Sequence, residues 1–252
     1  MMDYPLIVLV VSLVVMWCSA KTGAYLRKRQ QDLDEAECED LGVILAATLT
    51  LLGLIIGFSF SMAVGRYDQR KNYEEAEANA IGTEYFRAGL LPAADASKVR
   101  ELLTHYVNQR VLFYTTRGAS ELDQIDASTV RLQSDLWSAI QGYAVAQPTP
   151  VVALAVSGMN DVLNSQGYTQ AAWWNRIPTA GWAMMGAIAI CCNLLLGYSS
   201  HQLKGNMKRF FILPLVVSVS FFLIADLDSP RGGVIRVSPQ NLMSLSSILR
   251  AP

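Results

Sequence analysis

The stretch that decides the fold is residues 41–65, LGVILAATLTLLGLIIGFSFSMAVG, which is followed directly by Arg66. It contains no Asp, Glu, Lys or Arg. A helix rises about 1.5 Å per residue, so about 20 apolar residues cross the roughly 30 Å hydrocarbon core of a bilayer. This stretch is longer than that minimum and therefore predicts a transmembrane helix with some tilt.

Three further runs also lack charged residues, at 4–20, 177–200 and 210–225. The last of them contains Pro214, which a helix tolerates near its first turn because that N–H has no partner within the helix. Together with residues 41–65, these runs predict four transmembrane helices.

The first run is near the lower length limit for a span, and a signal peptide is the alternative interpretation. A signal peptide carries its positive charges before the apolar run. Here Asp3 precedes the run and Lys21 follows it. This order of charges favours an uncleaved transmembrane helix.

The composition excludes several classes of protein. Of 252 residues, 52% are hydrophobic and 16% are charged, whereas soluble domains carry about 25% charged residues. A net charge of −1 argues against a dedicated nucleic-acid binder. Two His and four Cys are too few for an extended metal or disulfide framework. We expect an integral membrane protein with no metal, no cofactor and no nucleic-acid partner.

The long segment between the second and third predicted spans reads as helical. Good helix formers follow the second span as far as Pro92, so this helix should continue well beyond the membrane. Apolar residues at spacings of three and four continue beyond Pro92, and Gln147-Pro-Thr-Pro150 interrupts them. The predicted fold class is an all-α integral membrane protein with a long helical extramembrane insert between transmembrane helices 2 and 3.

This interpretation divides the chain into four parts. Residues 1–65 hold transmembrane helices 1 and 2 with a short charged loop, and residues 66–176 form the extramembrane helical domain. Residues 177–226 form a transmembrane hairpin of helices 3 and 4, and residues 227–252 form a C-terminal tail that we expect to pack on the insert.

The charges of the short loops predict the orientation in a bacterial inner membrane. Lys and Arg in short loops stay on the cytoplasmic side. Loops 21–40 and 201–209 are both rich in them, which places these loops inside and the insert 66–176 and the C-terminus outside. The loop cations are Lys21, Arg27, Lys28, Arg29, Lys204, Lys208 and Arg209. By the same rule, the cations at the start of the long insert favour a cytoplasmic position for the insert. Long translocated domains, however, largely escape the rule.

Small residues recur at every fourth position of the second span. On a helix they form one smooth line, along which another helix backbone can approach closely. This line is either a contact with another helix of the same chain or a contact at a subunit interface or pore. We call it the small-residue stripe, and it consists of Gly53, Gly57, Ser61 and Gly65.

Thr50, Leu54 and Phe58 form a second line at the same spacing, which we call the Phe58 stripe. Large apolar side chains repeated around an axis make a hydrophobic constriction that gates ions by dewetting. A stripe of this kind in a single membrane helix more commonly faces lipid or protein. The pattern by itself leaves these alternatives open.

Three segments carry a resemblance to a known family. Residues 57–70, GFSFSMAVGRYDQR, resemble the second-helix signature of the bestrophin anion channels, in which a Gly-Phe pair leads through small and apolar residues to Arg. Residues 77–92, EANAIGTEYFRAGLLP, and residues 226–240, DLDSPRGGVIRVSPQ, resemble an uncharacterised family of bacterial membrane proteins described as bestrophin-like. The second resemblance covers most of the chain.

The resemblance implies a pentameric channel for chloride-type anions, with the second span lining a hydrophobic neck. Phe58 falls on the neck Phe that follows Gly, and Leu54 and Thr50 fall on the other two neck positions. Thr50 departs from the bulky apolar residue found there in bestrophins. No acidic cluster like the bestrophin calcium clasp follows the fourth span, so calcium gating is not implied. Bestrophins also hold their large domain in the cytosol, opposite to the loop-charge prediction.

Charged residues gather where the second and fourth spans end. Any four-span arrangement brings these two ends to the same side of the membrane. We expect an ion-paired collar there, and the alternative is that an unpaired Arg66 or Arg70 concentrates anions in a vestibule. The membrane-edge charges are Arg66, Asp68, Arg70, Asp226, Asp228 and Arg231.

Nothing in the sequence indicates an enzyme. There is no Gly-rich phosphate loop, no His-Glu-x-x-His and no nucleophile elbow. We therefore predict no catalytic residues. Two hypotheses remain. One is a homo-oligomeric bestrophin-like channel for small anions, and the alternative is a non-conducting membrane scaffold or regulator whose helical insert binds a partner.

Overall fold

The computed structural model describes residues 4–29, 35–199 and 207–250, except for the side chains of residues 35, 36, 38 and 207–210. The side chains of Cys38 and of the predicted loop cations Lys204, Lys208 and Arg209 fall outside the described part.

All regular structure in the described part of the chain is helical, which confirms the all-α prediction. The elements in chain order are α1 (Pro5–Arg29), α2 (Glu35–Arg87), a short 3₁₀ helix (Ala88–Leu90), α3 (Ala93–Thr115), α4 (Ala119–Ala146), α5 (Pro150–Trp174), α6 (Thr179–Tyr198), α7 (Met207–Asp228) and α8 (Gln240–Arg250).

Four helical stretches within the described residues are long and apolar enough to cross a membrane. They lie in Pro5–Arg29, Glu39–Leu90, Pro150–Tyr198 and Phe211–Asp228. The second is α2, a single helix of 53 residues, which continues beyond the span of 41–65 without a break, as its helix-forming sequence predicts. The four predicted transmembrane helices are thus confirmed.

Proline positions set several of the helix boundaries. The chain leaves α2 through the 3₁₀ turn, and Pro92 then stands at the N-cap of α3. The predicted break at 147–150 separates α4 from α5, and Pro150 occupies the first turn of α5. There the Thr149 side-chain oxygen accepts a hydrogen bond from the Val152 amide at 3.3 Å, which satisfies one of the otherwise unpaired N–H groups of the first turn.

The chain divides into two compact units. The first, which we call the membrane unit, contains residues 1–67 and 176–236. It holds the membrane helices α1, α6 and α7 and the membrane part of α2. The second, which we call the extramembrane unit, contains residues 68–175 and 237–252. It holds the rest of α2, helices α3 to α5 and the C-terminal helix α8. The four-part division predicted from the sequence differs from this one at residues 66–67, 176 and 227–236, which belong to the membrane unit.

Helix α1 in the membrane unit packs against both α6 and α7. A Cβ built on Gly23 would collide with the Leu194 carbonyl, and one built on Gly197 would collide with the carbonyl of Ala20. The backbones of α1 and α6 are therefore in direct contact at a reciprocal pair of glycines. Small residues allow such close approach between membrane helices, where dispersion contacts supply much of the association energy.

A buried amide stands near this crossing. Asn193 on α6 is fully buried and donates hydrogen bonds to the Ala189 carbonyl at 2.8 Å and to the Met16 sulfur at 3.3 Å. Trp182 on the same helix packs edge-on against Phe221 of α7, with ring centroids 6.1 Å apart. One face of α6 thus contacts α1 through its amide and α7 through its aromatic ring.

The extramembrane unit is built around charged residues on the buried face of α2. Arg70, Glu74, Glu77 and Glu84 are each at most 1% exposed. Their spacings of four, three and seven place them on one side of a helix. We call them the charged stripe. Helices α3, α5 and α8 provide the residues that face it.

The close contact between α1 and α6 makes a first prediction. Gly197→Ala places a methyl group against the Ala20 carbonyl, so we expect the free energy of unfolding to fall by about 1–3 kcal/mol because of overpacking. Thermal unfolding of the purified protein in detergent measures this change.

Gly186→Ala on the same helix is the matched control, because a Cβ at Gly186 meets no atom within 4 Å in the part of the chain that the structure describes. Equal stability of the two variants would contradict the close backbone contact.

Candidate functional site

The Phe58 stripe lies on a surface of α2 that no other part of the described protomer covers. Phe58 is 62% exposed and Leu54 is 53% exposed, and Thr50 is exposed as well. The Thr50 hydroxyl donates a hydrogen bond to the Ala46 carbonyl at 2.9 Å. Its proton is thus used within the helix, which reduces the polar difference between Thr50 and a purely apolar residue.

The small-residue stripe is exposed too. A Cβ built on Gly53, Gly57 or Gly65 meets no atom of the described residues within 4 Å, and Ser61 is exposed. Within the described part of the chain, the interpretation of this stripe as a contact between two helices of one chain is therefore wrong. The protomer packs a different face of the span, which includes Leu52, Ser59 and Ala63.

Of the four membrane stretches, α2 is the least enclosed by its own chain. Only 6% of the residues in its most apolar window are buried, compared with 22–50% in the other three. Both stripes therefore remain available to lipid or to other copies of the protein.

Asp228, at the end of α7, joins three segments at the edge of the membrane unit. Its Oδ1 atom pairs with Nη1 of Arg66 at 3.1 Å. Both of its carboxylate oxygens also accept from the Ile177 amide, at 3.1 Å each. The carboxylate is 5% exposed and the arginine side chain 18% exposed. This contact fixes the end of the second span, the entry to α6 and the end of α7 relative to one another.

Asp226 has a different role from the one expected in an ion-paired collar. Its oxygens accept from the backbone amides of Val234 and Ile235 at 2.7 and 2.8 Å. The carboxylate closes the turn that follows α7, and Gly233 is required there because a Cβ would collide with the Asp226 carbonyl. Asp226 therefore organises the backbone of this turn.

The remaining membrane-edge charges differ in their exposure. Asp68 is exposed, Arg70 is buried within the extramembrane unit and Arg231 is half-buried. Of the predicted collar, the structure brings together Arg66 and Asp228. The alternative in which Arg66 is unpaired is wrong, because its guanidinium is bound to Asp228.

Sequence reasoning missed the charged stripe of α2. Glu77 forms a fully buried ion pair with Arg110 of α3 and accepts from Thr169 of α5 at 3.2 Å and from Tyr114 at 3.4 Å. Burial, with the charge of Glu77, raises the pKa of the Tyr114 hydroxyl well above its usual range. The signal was present, since four charged residues share one helical face, but charge patterns usually indicate a solvated face.

Glu74 of the same stripe holds the C-terminal helix. Its two oxygens accept from the Leu242 amide at 2.9 Å and from the Asn241 side chain at 2.7 Å. Both donors lie in the first turn of α8, where unpaired N–H groups and the helix dipole favour a negative charge. The tail thereby becomes part of the extramembrane unit.

Within the described residues, no three His, Cys, Asp or Glu side chains are grouped closely enough to hold an ion. Cys18, Cys191 and Cys192 are free thiols.

These observations define the class of protein. Four membrane-crossing stretches, a helical extramembrane unit and a second span whose surface its own chain leaves open describe a polytopic α-helical membrane protein. The chain belongs to the family of the Bestrophin-like domain, whose family model matches residues 8–242. The resemblance seen in the sequence is confirmed.

Solved structures share the fold at low sequence identity. A crystal structure of a single-residue variant of a bacterial bestrophin homolog from Klebsiella pneumoniae has a TM-score of 0.63 and 14% identity, covering 97% of this chain and 97% of that chain. Another crystal structure of a homolog from the same organism has a TM-score of 0.61 and 15% identity, covering 98% and 99%. No curated protein sequence matches the chain.

The contact between Arg66 and Asp228 makes a second prediction. Asp228→Asn removes the charge that pairs with Arg66 and weakens the acceptor of the Ile177 amide. We expect the free energy of unfolding to fall by about 1–3 kcal/mol, because a mostly buried charge loses its partner. Thermal unfolding in detergent measures the change.

Asp68→Asn is the control for this prediction, since it makes the same substitution at an exposed neighbour on α2. If both variants unfold at the same temperature, Asp228 does not join the three segments.

Proposed function

We propose that this protein is a homo-oligomeric ion channel that passes small anions such as chloride through a hydrophobic neck on α2. Thr50, Leu54 and Phe58 line the neck, and the small-residue stripe lies against neighbouring subunits. The partners are the lipid bilayer, further copies of the same chain and the permeating anion. Five subunits are suggested by the resemblance to bestrophins alone.

The exposure of Phe58 beside a line of small residues is the observation that carries the proposal. Lipid contact gains nothing from a glycine at every fourth position, whereas a neighbouring helix packs closely against such a line. Adjacent positions on a helix are about 100° apart. In a copy of α2 that uses Gly53 and Gly57 against its neighbour, Leu54 and Phe58 lie on the face beside this contact, and the proposal places that face towards the space between copies.

The proposed neck lacks the acidic ring that many cation channels use. Cation channels commonly use rings of Asp or Glu at their constriction, and residues 41–65 contain neither. An apolar ring instead opens and closes the path by wetting and dewetting. The proposed preference for anions rests on membership of the Bestrophin-like family and on the fold shared with bestrophin homologs.

The third prediction tests the neck directly. Purified wild-type protein in proteoliposomes should carry halide faster than empty liposomes. Phe58→Ala should increase the flux several-fold at equal incorporation, because a wider neck dewets less readily. Halide efflux measured with an ion-selective electrode provides the readout.

Phe60→Ala is the matched control, since Phe60 lies two residues away on the same helix and points to a different face. Its flux should equal that of the wild type. Absence of flux from a monodisperse, fully incorporated oligomer would refute the channel and favour the alternative, a scaffold or regulator whose extramembrane unit binds a partner.

We also propose that the protein lies in the bacterial inner membrane with loops 21–40 and 201–209 in the cytoplasm and the extramembrane residues 66–176 and the C-terminus outside. The support is the concentration of Lys and Arg in the two short loops. The exposed cations Lys21, Lys28 and Arg29 at the end of α1 agree with a position at the membrane surface.

The fourth prediction tests this orientation with single cysteines in a cysteine-free background. In intact cells, a membrane-impermeant maleimide should label Ser244→Cys on α8, and it should label Glu39→Cys only after permeabilisation. Both side chains are exposed in the protomer, so access from solvent depends only on the side of the membrane. The reverse pattern would place the large unit in the cytoplasm.

A further inference from the structure

Glu84 is the member of the charged stripe whose carboxyl group has no hydrogen-bond partner among the described residues. It lies on α2, beyond the membrane-spanning part, and its side chain is fully buried. Neither carboxyl oxygen has a hydrogen-bond partner among the described residues. Its neighbours on the stripe differ in this respect, since Glu74 binds the start of α8 and Glu77 binds Arg110.

An ionised carboxylate in this position would be costly. Burial of an unpaired charge is among the largest penalties in a folded protein, and such a group commonly binds a proton instead. A neutral carboxyl group pays a smaller penalty. The setting of Glu84 thus favours its protonated form.

The carboxyl group fills a notch in helix α5. Gly158 of α5 is buried, and a Cβ built on it would collide with the Glu84 Oε2 atom. The same Cβ would lie 2.6 Å from Nη1 of Arg87. Gly158 thereby provides the room in which Glu84 is enclosed between the two helices. Any change in the charge of Glu84 acts directly on this contact.

Two charged groups act on Glu84 from the elements that enclose it. Arg87 lies one turn further along α2, and Asp161 lies one turn beyond Gly158 on α5. The Arg87 Nη1 atom is 3.9 Å from the Asp161 Oδ2 atom. Burial raises the pKa of Glu84 to about 8, the charge of Arg87 opposes the rise and the charge of Asp161 adds to it. At neutral pH, the Glu84 carboxyl group is therefore protonated in most molecules.

We propose that Glu84 is a proton-binding site of the extramembrane unit, in which the bound proton holds α5 against α2 at Gly158 and its loss in alkaline solution loosens this contact. The ligand is the proton itself. The inference does not depend on the proposed channel function, since it concerns the packing of two helices within one unit.

The direction of the pH dependence follows from linkage. The pKa of Glu84 rises from an ordinary value of 4.5 to about 8 on folding, so between these values the folded state binds more protons than the unfolded state. The contribution of Glu84 to stability is therefore fully present below pH 4.5 and decreases as the pH rises to about 8. Replacement by Gln should remove this dependence.

The fifth prediction tests the site with the full chain in lipid nanodiscs. Infrared spectra recorded between about pH 6 and about pH 10 should show one protonated carboxyl band in the wild type that disappears with a midpoint near pH 8. Hydrogen exchange, corrected for the intrinsic pH dependence of amide exchange, should show reduced protection around Gly158 over the same range.

Glu84→Gln should lack the titrating band and keep its protection at high pH, because its side chain stays neutral. Glu75→Gln is the matched control, as it makes the same substitution at an exposed position of the same helix, and it should behave like the wild type.

A second variant addresses the site from the opposite helix. Gly158→Ala should push Glu84 out of its notch and move the midpoint of the band by at least about one unit towards the ordinary value of Glu. The proposal is overturned if the wild type shows no carboxyl band titrating near pH 8, a result that needs no variant to fold. It is also overturned if Glu84→Gln retains the band or loses protection as the wild type does.

Discussion

The peptide backbone finds no hydrogen-bond partner in hydrocarbon, and this constraint governs the membrane part of the molecule. Each apolar stretch must satisfy its own N–H and C=O groups, so each is a helix. The remaining freedom lies in how the helices approach one another. Gly23 and Gly197 bring α1 and α6 into backbone contact, and the carboxylate of Asp228 joins the ends of three segments.

Helix α2 inverts its surface chemistry along its length. Within the membrane part, Leu54 and Phe58 are exposed and few residues of the helix are buried. Beyond the membrane it buries Arg70, Glu74, Glu77 and Glu84. The inversion is physically consistent, because apolar side chains lose nothing in lipid, whereas buried charges require specific partners. Glu77 pairs with Arg110 and Glu74 binds the start of α8. The stability of the extramembrane unit therefore depends on the positions of α3 and α8 relative to α2.

The channel proposal and the proton site involve different parts of this helix. The first requires several copies around an axis, since a single protomer leaves Phe58 uncovered. The second requires only one protomer, because Glu84, Gly158, Arg87 and Asp161 all belong to its extramembrane unit. Each can therefore hold without the other.

Much of the architecture was predictable from local sequence. Four uncharged runs, the break at 147–150 and the uninterrupted helix formers before Pro92 each depend on neighbouring residues alone, and the helices follow them. The resemblance at residues 57–70 and 226–240 also needs only short motifs, and the family match over residues 8–242 agrees with it.

The sequence by itself thus determined the helices, the spans and the family, because backbone solvation and helical periodicity act over a few residues. Only the tertiary structure decided which residues meet. Glu77 and Arg110 are 33 positions apart and Arg66 and Asp228 are 162 positions apart, so no local rule pairs them. The charged stripe of α2 is buried because α3, α5 and α8 supply partners for its side chains. Glu84 is buried because Gly158 of α5 leaves room for its carboxyl group.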